Sequence, residues 1–246
     1  MKIIISPAKK MNRDSGLPFD TLPHFLPEAN SIKRALQALP PSALQTLWSC
    51  NDAIAALNIQ RLHRMTLERN LTPAILAYEG IQYQYMAPGV FEDRHLDYIG
   101  RHLRILSGFY GLLRPFDGVT THRLEMQAGL SVDGCTDLYA FWGGKLANRL
   151  CAETDVILNL ASKEYSRAVT AHLPKGVRVI SCVFGERHNG RLIEKGTLCK
   201  MARGQMVRFL AEHNVTAPED IKDFNQLRYA WSPAHSTGDT FVFIKG

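Results

Sequence analysis

The sequence predicts an α+β fold: a mixed β-sheet surrounded by helices, in a single domain spanning residues 1–246. Three observations carry this. Continuous apolar runs of strand length recur, as K-I-I-I at residues 2–5, D-V-I-L-N-L-A at 155–161, V-R-V-I-S-C-V-F at 177–184 and T-F-V-F-I-K at 240–245. Segments with helical periodicity lie between them. The two kinds mingle without a strict βαβ rhythm, which points to a mixed sheet.

The elements follow in order. The first strand, Lys2 to Ile5, ends at Pro7. Residues 12–30 are rich in Pro, Asn, Asp and Ser and predict an irregular excursion. From Ser42 to about Met65 the pattern is helical, with Leu44, Leu47, Trp48, Ile54 and Leu57 after Pro40-Pro41. Residues 74–86 suggest a strand, a glycine turn and a short alternating aromatic piece. Asp93 to Leu106 is amphipathic, with Leu96, Ile99, Leu103 and Leu106 in one stripe and Arg94, Arg101 and Arg104 opposite. Leu138 to Glu153 reads as a helix despite Gly143-Gly144. Residues 187–193 read as a hairpin tip turning at Asn189-Gly190. Leu198 to Glu212 is a helix whose polar side carries Lys200, Arg203 and Arg208.

Composition narrows the function classes. No apolar run approaches a membrane span, and the N-terminal run is too short for a secretory signal. Five cysteines without metal-type spacing suit a reducing cytoplasm, and the scattered histidines form no metal set, so neither a metal nor another cofactor is expected. The net charge of +6 favours anionic partners such as nucleic acid, nucleotides or phosphates. Part of it is concentrated between Tyr98 and Leu124, where Arg101, Arg104, Arg114 and Arg123 face one acid, Asp117.

Several stretches at element ends can hold an anion. Ser6 and Lys9 in S-P-A-K follow the first strand, where α/β folds place ligand loops, although the glycines of a phosphate-binding loop are missing. Asn159 and Ser162 leave another strand in N-L-A-S-K-E-Y, and Ser162 stands at a helix start, as an anion donor or a plain N-cap. Lys200 and Arg203 precede Gly204 on a helix face where missing side-chain bulk admits a backbone or a ligand. Arg123 and Glu125 point to one side of an extended segment. No triad, metal set or carboxylate pair stands out, so the residues point to a cleft for an anion more than to a reaction.

The motifs I-S-P-A-K at 5–9, L-R-I-L-S-G-F-Y-G-L-L-R-P-F-D at 103–117, R-L-E-M at 123–126, L-Y-A-F-W-G at 138–143, N-L-A-S-K-E-Y at 159–165 and K-M-A-R-G at 200–204 occur in this order. Together they resemble the YaaA family, the bacterial peroxide-stress resistance proteins. The resemblance implies a YaaA-type fold with a basic cleft. It also implies a cytoplasmic role in the oxidative stress response to hydroperoxide, linked to iron homeostasis through low unincorporated iron, and DNA binding through a helix-hairpin-helix-like element. On that expectation Arg104, Ser107, Gly108, Tyr110, Gly111 and Arg114 form a hairpin that meets phosphates of duplex or branched DNA without sequence preference. These glycines are three apart and Pro115 cuts the second helix short, departing from the usual motif. The alternative is an enzyme acting on a nucleotide-like or phosphorylated small molecule in the same cleft, where Ser107, Tyr110, Gly108 and Gly111 line a pocket with Ser6 and with Lys9, Lys200 and Arg203 as anion holders. This reading expects those residues to converge on one pocket.

Overall fold

The computed structural model describes residues 1–13 and 17–246. Helices surround a mixed sheet. Its centre runs parallel, in the spatial order Leu103–Ser107, Lys2–Ile5, Val156–Asn159, Arg178–His188 and Thr240–Lys245. Antiparallel strands finish the edges, with Gly111–Leu113 beside Leu103–Ser107 and Tyr229–Trp231 beside Thr240–Lys245. Arg191–Ile193 folds back on Arg178–His188 through Asn189 and Gly190, both at positive φ, as the Asn-Gly turn demands. Ile3, Ile4 and Ile5 are all fully buried, which is why the first strand reads as an unbroken apolar run rather than an alternating one.

From Lys2–Ile5 the chain goes first to Leu103–Ser107 on one side and later to Val156–Asn159 on the other. Strand order therefore reverses at the first strand. The loops leaving Lys2–Ile5 and Val156–Asn159 diverge, and a crevice opens at their carboxyl ends.

Several elements differ from the sequence expectation. The excursion at 12–30, of which 14–16 lie outside the described residues, ends early because a helix begins at Leu26 with Pro27 in its first turn and runs to Gln37. The helical span 42–65 is two helices, Pro41–Trp48 and Asp52–Arg64, parted by Ser49 in the left-handed region and restarted by Asn51, whose side chain accepts the Ile54 N–H at 3.0 Å. The expected strand at 74–77 is one helical turn. The aromatic piece is a helix, Ile81–Met86, because Gln82, Tyr83 and Met86 share a buried face at helical spacing. Leu138–Trp142 and Lys145–Cys151 are separate helices, split at Gly143 with φ of +46°.

The largest correction concerns residues 93–115. The helix Asp93–His102 stops, and Leu103–Ser107 is a strand paired in parallel with Lys2–Ile5. Leu103 and Leu106 satisfy a helical stripe and a buried strand equally well, but Ile105 between them is buried too, and only the strand buries all three. Residues 103–113 are thus a β-hairpin, not a helix-hairpin-helix. The Ser107 hydroxyl accepts the N–H groups of Phe109 and Tyr110 at 3.2 and 3.1 Å and shapes its turn. The glycines serve packing. A Cβ on Gly108 would stand 2.9 Å from the Leu124 carbonyl, and one on Gly111, at φ of +74°, 2.8 Å from Leu146 and Trp142. Trp142 Nε1 donates to the Gly108 carbonyl at 3.0 Å, and the Tyr110 hydroxyl accepts from Thr120 N–H at 3.2 Å. The turn is sealed inside the protein.

Arg104 is sealed there as well. Its guanidinium pairs with Glu153 and donates to the Gly100 and Leu103 carbonyls at 3.2 and 2.6 Å. Lys2 and Arg149 reach the same carboxylate at 3.2 and 3.0 Å. Burial works to raise the Glu153 carboxyl, but Arg104 and Lys2 outweigh it and hold it below the usual carboxylate range. Lys2 is itself lowered, because burial and the Arg104 charge exceed its share of one carboxylate divided among three cations.

Two outcomes are expected. Gly204 lies in the helix Gly196–Glu212, and a Cβ there would sit 2.1 Å from the Gln82 carbonyl oxygen in the Ile81–Met86 helix. Gly204→Ala should cost about 3 kcal/mol by urea denaturation, against a gain of about 1 kcal/mol in an unobstructed helix; a stabilised variant would show that the helices do not touch there. Glu153→Gln should lose about 2–3 kcal/mol at pH 7. A depressed carboxyl contributes its stability above the unfolded value of about 4.3 and loses it as pH falls through the lower folded value. The gap from wild type should therefore close below about pH 4; a gap equal at pH 3 and pH 7 would mean the charge is irrelevant.

Candidate functional site

A cavity of about 560 Å³ fills the crevice, a size typical of small-molecule sites. Five stretches wall it: Ser6–Lys10 after the first strand, Tyr78–Tyr83, His122–Glu125, the start of the helix Lys163–Thr170 with Ser162 before it, and Lys200 with Arg203 from Gly196–Glu212. Their convergence follows from the fold. Gly108 lets segment 124–125 lie against the hairpin, and Gly204 lets the Ile81–Met86 helix lie against Gly196–Glu212. Gly80 approaches the first loop, where its Cβ would stand 3.0 Å from that of Ala8.

Ser6 ties the diverging loops together. Its hydroxyl accepts the Ser162 N–H at 2.9 Å and donates to the Ser162 hydroxyl at 3.2 Å. Ser162 precedes its helix without a side-chain cap bond, so its hydroxyl serves the crevice rather than the helix end. The Tyr83 hydroxyl donates to the Ser6 carbonyl at 3.0 Å.

One wall is cationic. Lys200 is exposed and Arg203 half-buried, one helical turn apart. Burial lowers the Arg203 pKa, and its Nε is enclosed without a hydrogen-bond partner. Gln82, only 7% exposed, also carries an unpartnered Nε2. Gly204 itself is buried rather than exposed with Lys200, and the space its missing side chain leaves admits the Gln82 backbone, as the sequence allowed.

Carboxylates also line the cavity. Glu125 pairs with Lys9. Glu164 accepts the Gln127 N–H at 3.3 Å. Burial raises the Glu164 carboxyl, the Gln127 N–H pulls against the rise, and the Glu125 charge adds to it. Burial pushes the phenols of Tyr78, Tyr83 and Tyr165 up, so they stay neutral. It pushes His122 down to about 4, leaving a neutral ring stacked on Phe109 at 4.8 Å with Nδ1 2.9 Å from the Thr120 carbonyl.

Of the residues named from sequence, the cavity brings together Ser6, Lys9, Arg123, Ser162, Lys200 and Arg203. Arg123 and Glu125 both line it but do not pair, since the Arg123 guanidinium donates to the Trp48 carbonyl at 3.2 Å. Asn159 stands outside, its oxygen accepting the Ala161 N–H at 3.0 Å to shape the strand exit. Arg104, Ser107, Gly108, Tyr110, Gly111 and Arg114 do not line it. Arg104 and Arg114 border a separate cavity of about 170 Å³ with Arg149, Asp117 and Glu153. Sequence reasoning missed Tyr78, Gln82, Tyr83, Glu164 and Tyr165 as site residues. Reading 81–86 as a helix from the spacing of Gln82, Tyr83 and Met86 was the available signal for two of them.

Among the described residues no three His, Cys, Asp or Glu side chains gather to hold a metal ion, and no helix is long and apolar enough to cross a membrane.

The model of a family described as peroxide stress protein YaaA matches residues 1–235. A UPF0246 protein of Desulfitobacterium hafniense is 53% identical over all of this chain and 98% of its own length. UPF0246 proteins of Lachnoclostridium phytofermentans and Pediococcus pentosaceus are 49% and 47% identical, again over the whole chain and at least 97% of theirs. The chain belongs to the peroxide stress protein YaaA family.

Proposed function

We propose that this family member serves the peroxide-stress response in the cytoplasm through its crevice cavity, which takes a nucleotide-like or phosphorylated small molecule as the ligand or substrate of an enzyme. The observation that carries this reading is the convergence of Lys200, Arg203 and the bridged Ser6–Ser162 pair at the strand-order reversal, with the Arg203 Nε enclosed and unpartnered. A buried donor without an acceptor is unfavourable unless a ligand supplies one. The anion reading also fits Lys200, exposed on the same wall, to which no ion pair is assigned among the described residues. Three of the five cysteines are poor candidates for a reactive thiolate: burial pushes the Cys182 thiol up to about 12 and raises Cys151 and Cys199 as well.

A second reading follows from the exposed lysines Lys9, Lys10 and Lys200 around the same opening and the net charge of +6. In it the rim holds DNA phosphates without sequence preference, and the protein helps limit unincorporated intracellular iron. The β-hairpin at 103–113 takes no part in either reading.

Calorimetric titration with ribose 5-phosphate and pyrophosphate separates these. Lys200→Ala should weaken binding at least tenfold, the loss of one charge-assisted contact. If neither probe binds wild type, or the variant binds as wild type does, the small-anion reading falls. DNA binding with a salt slope that flattens when Lys9, Lys10 and Lys200 become alanine would then move the rim reading ahead.

A further inference from the structure

The cavity is much larger than a phosphate needs, and its walls differ in chemistry. Resting on the small-anion reading above, we propose that the phosphate-bearing ligand carries a nucleobase, its phosphate on Lys200 and Arg203 and its base edge between Gln82 and Glu164. Four observations lead there.

At about 560 Å³ the cavity exceeds by far the roughly 30 Å³ share of one water molecule, so a bare phosphate leaves most of it empty. Tyr78, Tyr83 and Tyr165 contribute aromatic walls that remain uncharged, with Pro7 and Leu124 adding apolar surface. Such walls suit a flat ring, since aromatic stacking is indifferent to which base is present. Gln82 lines the cavity at 7% exposure and its Nε2 has no acceptor in the protein, so a ligand carbonyl or ring nitrogen would supply the missing acceptor. Glu164 lines the cavity too, and its carboxyl accepts N–H donors.

A ligand that answers all four is flat, anionic at one end, and offers an acceptor and N–H donors along one edge. Sugar phosphates lack the flat edge, and free bases lack the anion. A second phosphate at that end would meet two carboxyls, since Glu125 lies close enough for its charge to raise the pKa of Glu164.

The test compares guanosine, adenosine, cytidine and uridine monophosphates with ribose 5-phosphate, by calorimetry on the full chain. At least one mononucleotide should bind tenfold or more tightly than ribose 5-phosphate. Glu164→Gln should cut that preference, lowering mononucleotide affinity without lowering that for ribose 5-phosphate. Gln82→Leu removes an unpartnered donor, so the free protein should be as stable as wild type or more so, with mononucleotide affinity lowered; a merely structural glutamine would instead cost stability and leave affinity alone. Ribose 5-phosphate binding as tightly as every mononucleotide overturns the base assignment and leaves the anion site standing. Failure of every phosphate, ribose 5-phosphate included, overturns both.

Discussion

The architecture depends on one constraint: the strand Lys2–Ile5 is buried on both faces and paired along both edges. A strand with no free edge needs two partners, and parallel pairing forbids tight hairpins to either. One partner is therefore reached across a helical excursion ending at Leu103, and the other after a return to the opposite side at Val156. The reversal between them makes the crevice. The peptide after Ile5 and the peptide after Asn159 have nowhere to go except apart, and Ser6 with Ser162 spans the gap. The site is thus a result of chain topology before it is a result of side-chain choice.

The basic residues divide by what their neighbours supply. Around Glu153 three cations share a carboxylate, and Arg104 finds backbone carbonyls as well, so its charge is fully answered inside the protein. Across the sheet's crevice Arg203 is desolvated without an equivalent answer at its Nε. Arg104 thus completes the fold, while the Arg203 Nε is enclosed with no acceptor in the protein. The distinction lies in the hydrogen-bond inventory, not in residue type.

Much of the sheet was legible because apolar runs such as Lys2–Ile5 and Thr240–Lys245 have no other stable use, and Asn189-Gly190 specifies its turn locally. The stretch 93–115 misled because Ile99, Leu103 and Leu106 obey a helical period, while the deciding partner, the first strand, lies far away in sequence. Ser6, Lys9, Ser162, Lys200 and Arg203 were legible as loop-end or helix-face polar groups. Arg104 was misread because nothing near it in sequence announces Glu153. Gln82 and Tyr83 escaped because their segment was read as alternating, which places side chains on the wrong faces. At 103–107 and Arg104 a long-range contact overrode the local pattern, whereas at 81–86 the local helical spacing was itself the right signal.

The early position of the central strand has a consequence during synthesis. Its two edges are closed only by Leu103–Ser107 and Val156–Asn159, both of which are made well after it. At roughly 5–20 residues per second, the apolar run waits on the order of ten seconds with an open edge, offering itself to any other nascent chain. Lys2 before it and Pro7 after it are the residue types that discourage such pairing. The same lysine that later joins the Glu153 cluster thus guards this strand before that cluster exists.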